Sequence, residues 1–462
     1  MRMSTATPSA HVKRIGVIGG GASGMFAAAA ASESLQRIGA DNTQVIVLES
    51  GRNTLTKVKI SGGGRCNVLQ DTSKPLLDML GGYPRGNKEL RGIMTSQFSP
   101  RDAEEWFTSR GVQLKTEADG RMFPTTDDSQ TIIDAIEKAA HINGVQVDTQ
   151  KRVDSIDRLE DGSYSIAIKD QDEPQLFDAV ILATGSAKIG MKLAESLGHT
   201  IVKPVPSLFT FNTKQQIQEG GVFHNLAGLS VQKAQITFKV SVPGKKKKKA
   251  MVQEGPLLIT HHGISGPATL RLSAFAAREL YDVNYHCHVT VHWAPEFGST
   301  EDIESSLWSM TSASPKKMVS SSCPLLGSDG SSIIPRRLWS AIVSESGMNK
   351  DLRWSDAPKK QVRKLARCIA EFDVDVTGKG VFKEEFVTAG GVALKEINMK
   401  KMESRKCPGL FCCGELLNVD GITGGYNFQN CWSTGWVAGN SAAEFVSSLS
   451  PEGESMEDAA AA

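Results

Sequence analysis

Three glycines near the start of the chain have the spacing of a phosphate-binding turn. Gly19, Gly21 and Gly24 follow the apolar run 15–18 and precede an alanine-rich segment over 25–34. In this arrangement the first glycine allows a tight turn, the second lets the backbone approach a pyrophosphate, and the third lets a helix pack closely on a strand. The positive end of the helix then faces the phosphates. The spacing therefore predicts a strand, a dinucleotide-binding turn and a helix.

An acidic residue follows the second apolar run. Residues 45–48 are apolar and end at Glu49, which lies 49 − 24 = 25 positions after the last glycine of the turn. A carboxylate at the end of the second strand accepts hydrogen bonds from ribose hydroxyls, whereas a site for a 2′-phosphate usually has an arginine. We therefore predict that Glu49 binds a ribose, with Ala22, Ser23 and Ser50 as flanking contacts.

A second glycine-rich segment lies near the other end of the chain. An apolar run over 409–413 leads into a turn with a small residue and an acid. A helix is predicted over 427–446, in which the small Gly435 and Gly439 would allow close packing. The predicted contacts here are Gly414, Glu415, Gly421, Gly424, Gly425, Tyr426 and Asn427. Glycines keep the loop free of side chains, so a flat ring can lie against the backbone. The N-terminal amides of the helix would face the ring edge where negative charge develops on reduction. We interpret the two segments as two halves of one FAD site, and a flavin is favoured over a nicotinamide.

Composition places the chain among ordinary globular proteins. Of its 462 residues, 40% are hydrophobic and 22% are charged, and 52 Lys and Arg against 51 Asp and Glu leave a net charge of +1. This balance provides no general attraction to nucleic acid or to a membrane surface. No apolar run approaches the roughly 18 residues that span a bilayer. We expect no membrane partner and a cytoplasmic location, with an organelle as the alternative.

The cysteines argue against disulfide exchange as the chemistry. They are Cys66, Cys287, Cys323, Cys368, Cys407, Cys412, Cys413 and Cys431. None forms a C-x-x-C pair, which favours a reducing compartment. A flavin disulfide reductase needs two cysteines a few positions apart, and Cys66 has no near neighbour. We therefore expect Cys66 to be a packed residue rather than a redox thiol.

The middle of the chain differs in texture from both ends. Residues 208–212, 234–242 and 286–293 alternate as half-buried antiparallel strands do, and 302–372 is mostly helical around the Ser-rich loop 309–332. The ends carry the alanine- and glycine-rich pattern, with helices predicted near 100–110 and 128–143. We predict an α/β fold with these parts: an FAD-binding Rossmann-like domain over 13–196 and 386–448, an insert over 197–385 that forms a substrate lid, and a disordered tail over 449–462.

Five segments in order resemble one family of bacterial and organellar flavoproteins. They are SGGGRCNV at 61–68, DGRMFP at 119–124, GISGPATL at 263–270, TAGGV at 388–392 and GELLNVDGITGGYNFQ at 414–429. The chain is identified as a member of the aminoacetone-oxidase-family and 3-dehydro-bile-acid reductase-like FAD-binding proteins, which include a ribosomal RNA dihydrouridine synthase branch. The resemblance covers about 13–446 and implies a glutathione-reductase-like FAD domain interrupted by a β-barrel with helices. The Lys245–Lys249 run and the Ser-rich stretches depart from the pattern and leave the substrate open.

Three further segments supply candidate backbone contacts to FAD, partly on the strength of this resemblance. Segment 61–67 is either a flexible basic linker or a loop that wraps the pyrophosphate or the ring edge, and its position after the ribose acid favours the loop. The run 177–185 ends in a small-residue turn, and 388–392 would contact the ring from the other side. The predicted residues are Lys59, Ser61, Gly62, Gly63, Gly64, Arg65, Cys66, Asn67, Ala183, Thr184, Gly185, Gly390 and Gly391.

Catalytic residues are less well marked than the cofactor site. His261 and His262 are weak candidates for a proton donor, with ordinary loop packing as the alternative, and Asn427 is a third weak candidate. No metal site is predicted, because His286, His288 and His292 fall on one strand face without a supporting ligand cluster. The lysine run is a solvated loop or, as the minority interpretation, a contact to RNA.

The combined pattern predicts an FAD-dependent oxidoreductase. The expected reaction is reduction of a polarised C=C bond in a small molecule by hydride transfer through flavin N5. NAD(P)H is expected as a transient electron donor over the same flavin face, because the chain has only one convincing dinucleotide motif. Two alternatives are a dihydrouridine synthase that acts on large-subunit ribosomal RNA, and an aminoacetone-type amine oxidase that releases peroxide. The oligomeric state is not predicted.

Overall fold

The computed structural model describes residues 12–40, 42–239, 250–380 and 387–449. The chain forms two compact units, Met1–Pro204 with Thr388–Ala462, and Val205–Val387. The divisions lie at 204/205 and 387/388, whereas the sequence placed them at 196/197 and 385/386. The Lys245–Lys249 run, and the predicted tail from residue 450 onward, lie outside the described residues.

The first segment of the first unit alternates strands with helices. Its strands are β1 Lys13–Ile18, β2 Thr43–Leu48, β3 Leu69–Gln70, β4 Leu114–Thr116, β5 Arg121–Pro124, β6 Gln146–Asp148, β7 Val153–Arg158, β8 Tyr164–Ile168, β9 Gln175–Phe177 and β10 Ala179–Leu182. Strand β11, Ile201–Ser207, spans the division at 204/205. Its helices are α1 Ala22–Ile38, α2 Thr56–Ile60, α3 Leu76–Leu80, α4 Asn87–Ser96, α5 Pro100–Thr108, α6 Gln130–Ile142 and α7 Lys188–Ser196. The predicted helices near 25–34, 100–110 and 128–143 are confirmed as α1, α5 and α6.

The second unit combines antiparallel strands with helices. Its strands are β12 Phe211–Asn212, β13 Ser230–Phe238, β14 Met251–Ile259, β15 Gly263–Ser265, β16 Cys287–His292, β17 Phe372–Val376 and β18 Gly378–Lys379. Its helices are α8 Lys214–Ile217, α9 Pro267–Phe275, α10 Ala277–Asp282, α11 Thr300–Ala313, α12 Arg336–Glu345 and α13 Lys359–Ala370. The seven strands form one sheet in the order β17-β16-β13-β14-β15-β12-β18. The strand predicted over 208–212 shortens to β12, because Leu208 has a left-handed φ of 58° that interrupts an extended run.

The chain then returns to the first unit. Its last elements are β19 Val387–Val392, β20 Ile397–Asn398, β21 Glu403–Ser404, β22 Leu410–Cys412 and α14 Tyr426–Ser448. Strand β22 joins the sheet of the first segment, in the order β20-β21-β22-β10-β1-β2-β6. The strands from β22 to β6 in this order are parallel neighbours. The predicted Rossmann-type arrangement is therefore confirmed for this unit, whereas the small sheets β3-β5-β4 and β7-β8-β9 were not predicted.

Helices α1 and α14 pack with their backbones in contact. A Cβ added at Gly435 would lie 2.8 Å from the carbonyl oxygen of Ser23, and one at Gly439 would overlap the carbonyl oxygen of Ala27. The predicted role of Gly435 and Gly439 in close packing is confirmed. Because α1 and α14 each follow one of the two glycine-rich segments, their contact brings those segments together although they are about 400 positions apart in the chain.

Candidate cofactor site

The predicted cofactor residues lie beyond the carboxyl ends of four neighbouring parallel strands. In the sheet register Ile18 is level with Leu48 on one side and Leu182 on the other, and Leu182 is level with Cys412. The residues that follow these strand ends are Gly19, Glu49, Ala183 and, after Cys413, Gly414. Open parallel sheets bind ligands in this position, outside the carboxyl ends of the strands. The topology therefore gathers four separate sequence predictions at one edge.

The first glycine turn contains two kinds of glycine. A Cβ at Gly24 would overlap the carbonyl oxygen of Gly19, and one at Gly19 would lie 2.7 Å from the carbonyl oxygen of Ala183. These two glycines are required by packing within the protein. Gly21 differs, because an added Cβ there meets no atom within 4 Å in the described part of the chain. The space beside Gly21 is thus open at the N-terminus of α1. This helix begins at Ala22, and no side chain caps its first turn.

The carboxylate of Glu49 is held in place by backbone amides. Its Oε2 accepts a hydrogen bond from the Gly20 amide at 2.7 Å, and its Oε1 accepts from the Gly51 amide at 2.6 Å and the Ser50 hydroxyl at 3.2 Å. A carboxylate offers about four acceptor positions, so Oε2 retains capacity for another donor. This orientation suits the predicted hydrogen bond to a ribose hydroxyl.

The two glycine-rich segments meet at Ser23 and Gly414. A Cβ at Gly414 would overlap the Ser23 hydroxyl, and the Gly414 amide donates to the Thr434 hydroxyl at 2.9 Å. Ser23 lies in the first turn of α1, and Thr434 lies in α14. The small size of Gly414 thus permits the close approach of the segment near 414–427 to the first turn of α1.

Glu415 is positioned by a lysine that the sequence did not single out. Lys57 Nζ lies 3.2 Å from Glu415 Oε2 and donates to Ser186 Oγ at 3.1 Å, and the Thr388 amide donates to Glu415 Oε1 at 3.3 Å. The predicted Lys59 is exposed two positions further along the same short helix. No sequence signal distinguished Lys57 from Lys59, because the pairing of Lys57 with Glu415 spans 358 positions of the chain. Gly185 completes the cluster, 3.7 Å from Glu415 Oε2 when a Cβ is added.

The loop 61–67 contains three consecutive left-handed glycines. Gly62, Gly63 and Gly64 have φ values of 58°, 71° and 87°. A Cβ at Gly63 or Gly64 meets no described atom within 4 Å, whereas one at Gly62 would lie 3.1 Å from the Asn67 amide. The run ends with the Cys66 amide donating to the Ser61 carbonyl at 3.0 Å. Arg65 is right-handed with φ −92° and Cys66 is left-handed with φ 58°. Such a pair exposes successive backbone amides on one concave side, which fits the anion-binding loop better than a flexible linker.

Arg65 is less available to an anion than the sequence predicted. Its guanidinium pairs with Glu117 at 2.5 Å and Asp127 at 2.8 Å, and lies 4.0 Å from the centre of the Phe123 ring. These carboxylates raise the pKa of Arg65 and offset its charge. The side chain therefore fixes the position of the glycine loop, and its contact with a cofactor stays a prediction.

Cys66 is buried, and burial raises its thiol pKa to about 12. The thiol is therefore protonated at neutral pH, and thiolate is the nucleophilic form. We expect Cys66 to resist alkylation by iodoacetamide at pH 8 in the native protein and to react fully after unfolding in guanidinium. Peptide mass spectrometry of the two samples measures this. Complete native labelling within minutes would contradict the buried, packed role.

Asn427 holds the loop that precedes α14. Its Oδ1 accepts from the Gly421 amide at 2.8 Å, and its Nδ2 donates to the Gly421 carbonyl at 3.0 Å. Gly425 packs against Leu69. With its side-chain amide oriented to satisfy both groups, Asn67 donates to the Leu69 carbonyl at 3.0 Å and its side-chain oxygen accepts from the Gly425 amide at 3.2 Å. Both ends of the Asn427 side chain are thus used within the loop. The side chain therefore positions the loop, and a catalytic role for Asn427 stays a prediction.

We expect Asn427→Leu to weaken FAD binding by about tenfold, because two hydrogen bonds of about 1 kcal/mol each no longer hold Gly421. Asn427→Asp keeps the acceptor oxygen, so its FAD affinity should lie between those of Asn427→Leu and the wild type. Quenching of FAD fluorescence on titration into apoprotein gives the dissociation constants. Unchanged affinity together with a shifted pH profile of the catalysed reaction would instead indicate that Asn427 transfers a proton.

A buried ion pair supports the same loop and was missed in the sequence. Asp420 is fully buried and accepts from both Nε and Nη2 of Arg85. Tyr83, also buried, donates to the Tyr426 carbonyl at 2.7 Å, and the Ile422 amide donates to the Gly82 carbonyl at 2.9 Å. Gly82, Tyr83 and Arg85 stand in the segment GGYPRG at 81–86, whose glycine content was the available signal. This segment fixes the loop 419–426 from one side.

The remaining predicted residues are placed as follows. Gly390 lies against Lys203 and Pro204, and Gly391 lies against the backbone of Leu416 and Leu417, so both serve backbone packing. Gly421 packs on Tyr426, and Gly424 lies 3.2 Å from Gln70 Nε2 when a Cβ is added. The hydroxyl of Thr184 is buried and has no hydrogen-bond partner among the described residues. Contact of each with a cofactor stays a prediction.

The histidines that the sequence singled out lie in the second unit. His261 and His262 are exposed in the turn between β14 and β15, where the His262 carbonyl accepts from the Thr213 amide at 3.0 Å. A proton-donor role for either stays a prediction. His288 pairs with Asp375, and His292 Nε2 lies 2.9 Å from the Gly298 carbonyl oxygen. Within the described residues no group of three or more His, Cys, Asp or Glu could hold a metal ion.

The residues at the strand ends fit FAD by shape and chemistry. Glycines packed by protein atoms close the edge, and three glycines, Gly21, Gly63 and Gly64, leave open space beside their backbones. An oriented carboxylate stands at Glu49, and an uncapped helix start adjoins Gly21. Such donors suit a pyrophosphate and a ribose diol.

Comparison with known proteins gives the family and several relatives. Residues 13–441 match the family described as HI0933-like protein Rossmann domain. A 3-dehydro-bile acid delta(4,6)-reductase of Clostridium scindens is 29% identical over 447 residues, which cover 94% of this chain and 100% of that protein. A ribosomal RNA dihydrouridine synthase of Escherichia coli is 25% identical over 430 residues, which cover 91% of this chain and 96% of that protein.

Among solved structures, a 3-ketosteroid-delta4-(5alpha)-dehydrogenase from Rhodococcus jostii aligns with a TM-score of 0.44 and 15% identity, over 95% of this chain and 99% of that one. An E. coli quinol fumarate reductase subunit aligns with a TM-score of 0.44 and 14% identity, over 97% of this chain and 73% of that one. Within the described residues, no helix combines the length and apolar character needed to cross a bilayer.

Proposed function

The chain belongs to the HI0933-like Rossmann family, a family of FAD-dependent oxidoreductases, and from that premise we propose that it reduces a polarised C=C bond with electrons from NAD(P)H. The proposal rests mainly on one observation. Gly19, Glu49, Ala183 and Gly414 follow four neighbouring strand ends that are level in the sheet. A dinucleotide cofactor placed at that edge would contact both glycine-rich segments at once.

The residues divide the cofactor between them. Gly21 and the first turn of α1 would hold the pyrophosphate, and the Glu49 carboxylate would accept hydrogen bonds from the ribose. Glu415, held by Lys57, would bind the ribityl hydroxyls. The glycines at 62–64 and 421–425 would leave the ring in contact with backbone. Bound FAD would supply hydride transfer through its N5 atom.

The relatives' names support C=C reduction as the reaction class. A delta(4,6)-reductase saturates double bonds conjugated with a ketone, and a dihydrouridine synthase saturates the double bond of a pyrimidine ring that is conjugated with a carbonyl. Both reactions add hydride and a proton across a polarised double bond. The first relative covers the whole chain at the higher identity, so we place a small molecule first as substrate.

Reduction of uridine in ribosomal RNA is the second candidate, and helix α13 favours it. The exposed positions of this helix carry Lys359, Lys360, Arg363, Lys364 and Arg367. A row of cations on one helix can neutralise several phosphates, although Arg363 is already paired with Glu304 at 3.1 Å. The overall charge of +1 provides no attraction of its own, so binding would depend on this local surface.

We also propose that the second unit is an inserted barrel with helices. The end strands of its sheet, β17 and β18, are separated in the chain by Thr377 alone, and they pair with β16 and β12 respectively. One continuous segment therefore borders both ends of the sheet order. The predicted role of this unit as a substrate lid remains part of the proposal.

The first experiment identifies the cofactor and the electron donor. The purified chain is heated, and the released flavin is identified by chromatography. The holoprotein is then mixed anaerobically with NADH or NADPH while the flavin absorbance near 450 nm is followed. We expect FAD and bleaching by one nicotinamide. A colourless protein that binds no FAD on reconstitution would overturn the cofactor, and no bleaching by either nicotinamide would overturn the donor.

The second experiment separates the substrates. Reduced protein is mixed with a 3-oxo-Δ4 steroid acid, with large-subunit ribosomal RNA transcribed in vitro, or with neither. Reoxidation of the flavin and mass spectrometry of the product show which is reduced. Dihydrouridine formed in the RNA would favour the second candidate. Flavin reduction by aminoacetone, followed by peroxide release in air, would contradict both reductase candidates and indicate an amine oxidase.

A further inference from the structure

The second unit contains a cavity that no part of the proposed function uses. Its volume is about 840 Å³, within the range of roughly 300–1,000 Å³ typical of small-molecule sites. It lies among the C-terminal half of α11, the segment 314–332 and the first turn of α12. The Ser-rich loop 309–332, which departs from the family pattern, therefore forms much of its wall.

The charge on the cavity wall is positive. Lys317 and Arg336 line it, and no carboxylate lines it among the described residues. Neither cation has an ion-pair or hydrogen-bond partner for its side chain in the described part of the chain. The C-terminal end of α11 and the N-terminal end of α12 both border the cavity, and their opposite half-charges offset each other. The net field inside is therefore that of two unpaired cations.

The cavity also has an apolar wall. Phe297, Met310 and Leu326 line it, and Leu326 is 49% exposed. Trp339 also borders the cavity, but only 1% of the residue is exposed and its indole N–H donates to the Val319 carbonyl at 2.7 Å, so it supports the wall from behind.

The serine hydroxyls are largely used within the wall. Ser306 donates to the Asp302 carbonyl at 3.0 Å, and Ser332 donates to the Ile334 carbonyl at 2.8 Å. These hydroxyls retain acceptor positions but have no free proton to offer an anion. The donors available to a charged ligand are therefore mainly those of Lys317 and Arg336.

We propose that this cavity binds an amphipathic organic anion, an apolar ring or chain that carries a carboxylate, sulfonate or phosphate. The two cations would hold the anionic group, and the apolar wall would hold the body. The site lies wholly within the second unit, so the proposal does not depend on the FAD site.

The test uses the fluorescent anion 1-anilinonaphthalene-8-sulfonate with the full-length, flavin-containing protein. We expect saturable binding to the wild type, and at least a tenfold loss of affinity in Lys317→Gln/Arg336→Gln. The matched control is Lys316→Gln/Lys214→Gln, which removes two exposed lysines outside the cavity wall and should change affinity by less than twofold. Unfolding midpoints and flavin content check that each variant is folded, and the single variants serve if the double variant is not.

Competition identifies the chemistry that the cavity recognises. Dodecanoate and dodecyl phosphate should displace the probe, and the more effective of the two indicates which anionic group is preferred. Dodecanol should displace it at least tenfold less well. Equal displacement by the alcohol, an unchanged affinity in the double variant, or no saturable binding to the wild type would each overturn the proposal.

Discussion

Gly21→Ala weakens FAD binding by at least about tenfold, equivalent to about 1.4 kcal/mol, while the fold of the apoprotein is retained. An added Cβ at Gly21 meets no described protein atom within 4 Å, and the residue has an ordinary extended conformation with φ −81°. Alanine is a poorer N-cap than glycine, so we expect a loss of no more than about 1 kcal/mol in the free energy of unfolding. The methyl group would instead occupy space proposed for the pyrophosphate.

Gly24→Ala is the matched control. Its Cβ would overlap the Gly19 carbonyl oxygen and lie 3.2 Å from Ala183 Cβ. Overpacking against backbone of this kind costs about 1–3 kcal/mol or more, which exceeds the gain of up to about 1 kcal/mol from helix propensity. We therefore expect Gly24→Ala to lower the unfolding midpoint of the apoprotein, unlike Gly21→Ala.

Urea unfolding of both apoproteins and FAD titration separate the two effects. Retained FAD affinity in Gly21→Ala would remove the pyrophosphate from this turn. Equal loss of stability in both variants would mean that Gly21 is also a packing glycine, contrary to the open space beside it.

Arg85→Leu lowers the free energy of unfolding by about 3–5 kcal/mol, the usual cost of removing one partner from a buried ion pair. Asp420 is 0% solvent-accessible and accepts two hydrogen bonds from the Arg85 guanidinium, so removing Arg85 removes both bonds from a buried carboxylate. The loop that begins at Asp420 also contains Gly421 and Gly424, so FAD affinity should fall with stability.

The double variant Arg85→Leu/Asp420→Leu distinguishes an uncompensated charge from lost packing. Apolar replacement of both partners is often close to neutral, so we expect it to recover most of the lost stability. Circular dichroism during urea unfolding of the wild type, both single variants and the double variant completes the cycle. A cost below about 1 kcal/mol in Arg85→Leu would show that Asp420 is satisfied by other groups or is protonated.

The sequence determined the elements around the first glycine turn, because local spacing and local sterics coincide there. Gly19, Gly21 and Gly24 are separated by two and three positions. The strand, turn and helix that they require all lie between Lys13 and Ile38. The same reasoning correctly predicted that Gly435 and Gly439 allow close helix packing.

Tertiary structure alone decided which glycine serves which purpose. Gly21, Gly390 and Gly414 look alike in the sequence, yet only Gly21 leaves open space beside its backbone. The difference depends on neighbours from distant parts of the chain, such as Ser23 against Gly414 and Pro204 against Gly390. Sequence spacing carries no information about those neighbours.

Tertiary structure also decided which charged side chains form pairs. Lys57 rather than Lys59 pairs with Glu415, Arg65 pairs with two carboxylates, and Arg85 reaches Asp420 across 335 positions of the chain. A charged residue type fixes what a side chain can bind, and the sequence gives that directly. Which partner it binds depends on the packing of α2, the glycine loop and the segment at 81–86, and only the folded chain sets those distances.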